Sequence, residues 1–173
     1  MTQLEIDFLY LDLSTCSRCI GTNANIEAAL DDVGRLLHSL GVAVRVRKTL
    51  VGTEEQARQL RFVSSPTIRI NGRDIAPELR ESRCESCEAC ACNGTVNCRV
   101  WVFQGQAYLE APRAMLIDAI LRAVYGGRRA PAPEEPPFAD VPENLKRFFA
   151  GKAGQAALKE SVCCSTSART TCC

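Results

Sequence analysis

The chain has 173 residues, 46% apolar and 24% charged, enough for one domain with a hydrophobic core plus an appendage. Its 21 basic and 20 acidic residues leave a net charge of +1, which removes any electrostatic case for nucleic acid or an anionic membrane as a partner. Aromatic residues, at 6%, are too sparse for a platform that stacks single strands.

Residues 4–11 alternate and then become continuously apolar, which predicts a central strand. Residues 24–40 place Ile26, Leu30, Val33, Leu36, Leu37 and Leu40 at helical spacing, with Gly41 as the stop. Val42, Val44 and Val46 alternate with Arg45 and Arg47 in a second strand over 42–50. Thr53 followed by Gln56 is a capping-box pattern that opens a short helix ending near Phe62. Thr67 to Ile70 make a third strand after Ser65-Pro66, and Asn71-Gly72 is a hairpin turn. A cysteine-rich loop over 84–98 leads into a strand at Arg99 to Phe103, which turns at Gln104-Gly105. Pro112 opens a helix over 112–125 with Met115, Ile117, Ile120, Leu121 and Val124 largely on one face. The predicted fold is α/β: a mixed central sheet, part parallel and part antiparallel, with helices on both faces.

Residues 1–125 thus read as one domain. A Gly/Pro-rich linker over 126–137, a short helix within 138–150 and a flexible tail over 151–173 follow. The N-terminus, MTQLEID, carries acids where a signal peptide would be apolar. No window approaches the apolar length of a membrane span. The expectation is a cytoplasmic protein without membrane insertion.

Cysteine is the outlier. Eleven cysteines cannot all pair internally, because the number is odd. In a reducing compartment such an excess points to metal binding or redox chemistry rather than to a disulfide scaffold. A few inert buried thiols would account for isolated cysteines but not for clusters.

There are three clusters. The first is Cys16 and Cys19, a CxxC between a strand and a helix. A helix N-terminus stabilises a thiolate, so the pair is suited to closing a disulfide or chelating a soft ion. Cys16 is expected to be the exposed nucleophile and Cys19 the resolving thiol. The second comprises Cys84, Cys87, Cys90, Cys92 and Cys98. Five thiols on one loop can supply the four ligands of a zinc or iron–sulfur site, although the ladder is denser than a zinc ribbon. The third is two vicinal pairs, Cys163-Cys164 and Cys172-Cys173. Adjacent cysteines make strained disulfides but good chelators of large soft ions such as arsenite or mercuric ion.

Single His38 leaves little room for histidine-based zinc catalysis or a Ser-His-Asp triad, and no GxGxxG or Walker motif suggests a nucleotide.

The CxxC after the first strand, together with Pro66 before the third, resembles the thioredoxin superfamily over about residues 4–125. The resemblance implies a thioredoxin-like fold with a cis-proline opposite the CxxC, and catalytic roles for Cys16 and Cys19 if the chemistry is redox. The dipeptide between them is Ser17-Arg18 and no Trp precedes it. Cys16/Cys19, Asn71-Gly72, Cys84/Cys87, Cys98-Arg99 and Pro112 to Leu121 also resemble an uncharacterised bacterial thioredoxin-like family, a domain of unknown function. The tail pairs are similar to those of the arsenite metallochaperone family, which hands its cargo to an efflux ATPase.

Three functions follow as expectations. The first is a binder of arsenite or mercuric ion for detoxification or transfer to an efflux system, using the cysteines of the loop and the tail. The second is a thiol–disulfide oxidoreductase at Cys16/Cys19 with a thiol redox partner and the tail as a relay. The third is a module held together by structural zinc or an iron–sulfur cluster.

Overall fold

A computed structural model describes residues 2–76, 78–87, 96–126 and 137–164, and at 155, 156 and 158–164 only the backbone. The elements in order are β1 (Thr2–Tyr10), α1 (Ser17–Ser39), β2 (Val42–Leu50), α2 (Glu54–Gln59), β3 (Thr67–Ile70), β4 (Arg73–Asp74), β5 (Arg80–Arg83), β6 (Asn97–Phe103), β7 (Gln106–Tyr108), α3 (Arg113–Tyr125) and α4 (Glu143–Cys164). The class is mixed α/β.

The main sheet has the order β2-β1-β3-β4. β1 and β2 are parallel, joined through α1, while β3 runs antiparallel to β1 and β4 antiparallel to β3. The strand expected at 99–103 does not extend this sheet. It is β6, the middle of a separate antiparallel sheet β5-β6-β7. Both hairpin turns follow from backbone chemistry. Asn71-Gly72 and Gln104-Gly105 each place two consecutive residues at positive φ, the geometry of a two-residue turn whose twist matches the strands.

Period-two alternation along β1 divides the core. Leu4, Ile6 and Phe8 face Ile26, Ala29, Val33 and Leu37 of α1, with Ile68 and Ile70 of β3 and Met115, Leu116 and Ile120 of α3. Leu9 and Leu11 instead join Val51, Ala57, Phe62, Val141, Leu145, Phe148 and Phe149 in a second cluster, which also contains Cys16, Cys19, Cys84, Cys87 and Cys98. The cysteines are therefore part of a hydrophobic core that α4 covers.

Several boundaries differ from the periodicity. α1 begins at Ser17, directly after Cys16, and its buried stripe excludes Leu36 and Leu40, which are about half exposed. Thr53 caps α2 as expected, its Oγ1 accepting from Gln56 N at 3.1 Å. The helix ends early because Arg61 takes a positive φ that turns Phe62 into the core. Pro112 is the N-cap of α3, not its first turn.

The largest correction concerns the C-terminus. The short helix within 138–150 is instead α4, which runs on to Cys164 through a stretch expected to be flexible. That stretch lacks an apolar stripe, but Ala153, Ala156, Ala157, Leu158, Lys159 and Glu160 all have high helix propensity. Linker residues 127–136 and tail residues 165–173 lie outside the described residues. Among the described residues no helix is long and apolar enough to cross a membrane.

Candidate metal centre

Two separate segments build the site. The first is the loop from β1 to α1. Asp12 Oδ1 accepts hydrogen bonds from Ser14 N and Oγ, both at 2.6 Å, and from Thr15 N at 3.0 Å. This side chain mimics a backbone turn, and it delivers the chain to Cys16, the N-cap of α1, whose carbonyl accepts from Ile20 N.

The second segment is the β5–β6 hairpin. Ser82 pairs with Cys98 and Arg83 with Asn97, and Cys84 N continues the pairing by donating to Val96 O at 2.8 Å. Cys87 N then donates to Cys84 O at 3.1 Å, a tight turn that folds Cys87 back toward Cys98. From α4, Asn144 behaves like one more strand residue. Its Oδ1 accepts from Asn97 N at 2.9 Å and its Nδ2 donates to Asn97 O at 2.8 Å. Lys152, one turn beyond Phe148, lies over that ring and 3.8 Å from Asp12 Oδ2.

The two segments converge at sulfur. The Sγ atoms of Cys16, Cys84, Cys87 and Cys98 all lie within 4.8 Å of one another. Cys87 Sγ is 3.5 Å from Cys16 Sγ and 3.3 Å from Cys98 Sγ. All four are free thiols and at most 3% exposed. A tetrahedral ion with sulfur ligands at about 2.3 Å spaces those sulfurs about 3.8 Å apart. The observed spacing brackets that value, so the set fits a single four-coordinate ion. An iron–sulfur cube would interpose its own irons and sulfides and spread the sulfurs further.

The thiols polarise one another. Cys16 is held well below the usual thiol range, because the Cys19 thiol, then those of Cys84, Cys87 and Cys98, donate to its sulfur. The Cys16 anion in turn pushes Cys19, Cys87 and Cys98 upward, with burial adding to the effect. At Cys84 the Cys16 contact also pushes upward, but hydrogen bonds from Cys87 and Cys98 outweigh it and bring the group down to about 7. One thiolate in the set would thus be ready for a cation, and a bound cation would displace the remaining protons.

The structure redistributes the expected residues. Cys16 is not an exposed nucleophile but fully buried, since α1 starts at once and α4 covers the site. Cys19 is also buried. It is absent from the four-sulfur set but hydrogen bonds to Cys16, and its Sγ lies 3.4 Å from Ser65 Oγ. Ser65-Pro66 is a cis peptide, and it is the Ser65 side chain of that turn that approaches Cys19. Cys84, Cys87 and Cys98 of the loop come together, while Cys90 and Cys92 lie outside the described residues. Cys163 and Cys164 end the backbone of α4, with side chains outside the description, as are Cys172 and Cys173 altogether. Sequence reasoning missed that Cys16 joins the loop cysteines. It is 71 residues from Cys87, and no linear spacing signals that contact.

No curated protein matches the chain, and no solved structure does. The family described as "Domain of unknown function (DUF2703)" matches residues 4–120, a span that contains both converging segments and stops before α4. The chain belongs to this DUF2703 family.

Proposed function

We propose that the protein binds a soft metal ion through the thiolates of Cys16, Cys84, Cys87 and Cys98. The observation that carries this reading is the convergence of four buried, unpaired sulfurs from two distant segments within 4.8 Å. Thiolates select soft or borderline ions, of which zinc takes four, trivalent arsenic three and mercuric ion two or three. The site has the closed character of one that holds its ion firmly. Handing cargo to an efflux ATPase would then fall to the tail pairs Cys163-Cys164 and Cys172-Cys173.

Native mass spectrometry of freshly purified, reduced full-length protein tests this, followed by challenge with zinc, mercuric ion and arsenite. The expected result is one ion per chain. Cys98→Ser should lose it, while the variant with Cys163→Ser, Cys164→Ser, Cys172→Ser and Cys173→Ser should keep it. Loss of all binding in the tail variant, or uptake of no ion by the wild type, refutes the assignment.

A second reading, thiol–disulfide exchange in a thioredoxin-like protein, is supported by Cys19 beside Cys16 and by the cis Ser65-Pro66 turn, whose Ser65 side chain approaches Cys19. The main sheet, part parallel and part antiparallel, agrees with it. The two readings share Cys16, which cannot ligate an ion and form a disulfide with Cys19 at once. Absence of any Cys16–Cys19 disulfide over the accessible range of redox potentials removes the second reading.

A further inference from the structure

Arg18, between the two cysteines of the CxxC, is a buried cation without an acidic partner among the described residues. It is 6% exposed. Its Nη1 donates to the carbonyl of Cys98 at 3.1 Å and, more weakly, to those of Ser82 and Arg99, both at 3.4 Å. Its Nη2 donates to Ser82 Oγ at 2.9 Å and to the Arg83 carbonyl at 2.5 Å. Every acceptor is neutral, and among the described residues no carboxylate forms an ion pair with it. Arg99, the other buried arginine, is different: it pairs with Asp74 at 2.8 Å.

A guanidinium keeps its charge in proteins, and burying one without an anion is costly. The groups that hold Arg18 show where its anion belongs. Cys98 is a member of the four-sulfur set, Arg83 directly precedes Cys84, and Arg18 itself follows Cys16 by two positions. The guanidinium is thus bound to the backbone that carries the sulfurs. Four thiolates around a divalent ion total a charge of −2. Trivalent arsenic on three thiolates, or mercuric ion on two, is neutral.

We propose that Arg18 is the charge partner of the loaded centre, and that it biases the site toward a divalent ion held by all four thiolates over ions bound as neutral complexes. This rests on the metal-binding reading above and names the class of ion. Arg18 is a positioning and charge-compensating residue that does not itself touch the ion.

The test measures cadmium and arsenite affinities on the full-length chain carrying Cys163→Ser, Cys164→Ser, Cys172→Ser and Cys173→Ser, so that the tail does not contribute. Cadmium is followed by its thiolate charge-transfer absorption in competition with a chelator, and arsenite by competition with a dithiol. Arg18→Gln, which keeps hydrogen-bonding capacity but no charge, should weaken cadmium binding by roughly 10–100-fold, the scale of groups that support metal ligands, and arsenite binding far less. Arg18→Lys should restore most of the cadmium-to-arsenite ratio. General damage to the fold lowers both affinities and leaves their ratio unmoved. An unchanged ratio in Arg18→Gln, or no recovery of the ratio in Arg18→Lys, overturns the role of Arg18 alone. A parent chain that binds neither ion overturns the metal reading and this role with it.

Discussion

Metal loading should release protons in a number that the thiol cluster sets. At pH 7 Cys16 is already anionic, so it has no proton to give up. Cys84, brought down to about 7, is half ionised there. Cys87 and Cys98 are pushed up and fully protonated. Binding a divalent ion through all four therefore expels roughly two and a half protons at pH 7, because each ligand must be deprotonated. The sign follows: acid competes with the ion, so affinity falls as pH falls. Between pH 7 and 6 Cys84 gains its proton, the count approaches three, and affinity drops on the order of several hundredfold. Above pH 8 Cys84 is ionised before the ion arrives, the count approaches two and the dependence flattens. Proton release is measured in weak buffer with a pH indicator during titration with zinc. Affinity is measured by competition with a chelator of known pH behaviour. Release of four protons at a constant slope from pH 6 to 8 would mean four ordinary thiols and no Cys16 anion, and would refute the polarised-cluster argument.

Other perturbations act through named contacts. Asp74→Ala leaves the buried Arg99 guanidinium without its carboxylate and should destabilise the fold by about 3–5 kcal/mol. Urea unfolding checks this, and a loss under 1 kcal/mol would mean that water reaches Arg99. Asn144→Ala removes both hydrogen bonds to the Asn97 backbone and should cost about 1–3 kcal/mol, with faster ion release because α4 loosens over the site. Stopped-flow chelation measures that release, and an unchanged rate would place the exit path elsewhere. Bound ion should protect Cys16, slowing Cys16–Cys19 disulfide formation by oxidised glutathione about 100-fold at an ion concentration 100 times the Kd. Mass mapping of the disulfide reads this out, and equal oxidation with and without ion would show that Cys16 is not a ligand.

The parts of the molecule written in local periodicity were legible in the sequence. β2 and β3 fall where alternation placed them, and Asn71-Gly72 turns because Asn and Gly tolerate positive φ. α4 was not legible beyond its amphipathic start, since its later part is supported by propensity rather than by an apolar stripe. The second sheet was hidden because the partner of β6 on one side is Arg80–Arg83, a polar tetrad with no hydrophobic alternation. At the site, cysteine types and motifs were visible, but their grouping was not. The loop cysteines read as a ladder complete in itself, whereas the fold joins three of them to Cys16 and leaves Cys19 beside the set. Arg18 gave no signal at all. A charged residue between two cysteines reads as exposed, and only the carbonyls of the β5–β6 hairpin make its burial possible.

The placement of the four sulfurs would make a bound ion a structural cross-link between the two sheets. Cys16 belongs to the connection leaving the central strand of the main sheet, while Cys84, Cys87 and Cys98 belong to the hairpin of the second sheet. An ion held by all four ties the two sheets together, so its binding free energy adds to the stability of the joined state and is absent from the unfolded chain. Arg18 spans the same junction, from the first turn of α1 to the carbonyls of Arg83 and Cys98. On the two proposals above, junction, counter-charge and ligand set form one device, and opening it would mean separating the hairpin from α1 or lifting α4 away. The first breaks the Arg18 hydrogen bonds together with the metal–sulfur bonds. The second breaks the Asn144–Asn97 pair and the packing of Phe148 and Phe149 but leaves the ligands in place. Of the two routes, lifting α4 would break fewer buried polar contacts, so on the metal-binding reading it is the route by which an incoming thiol would reach the ion.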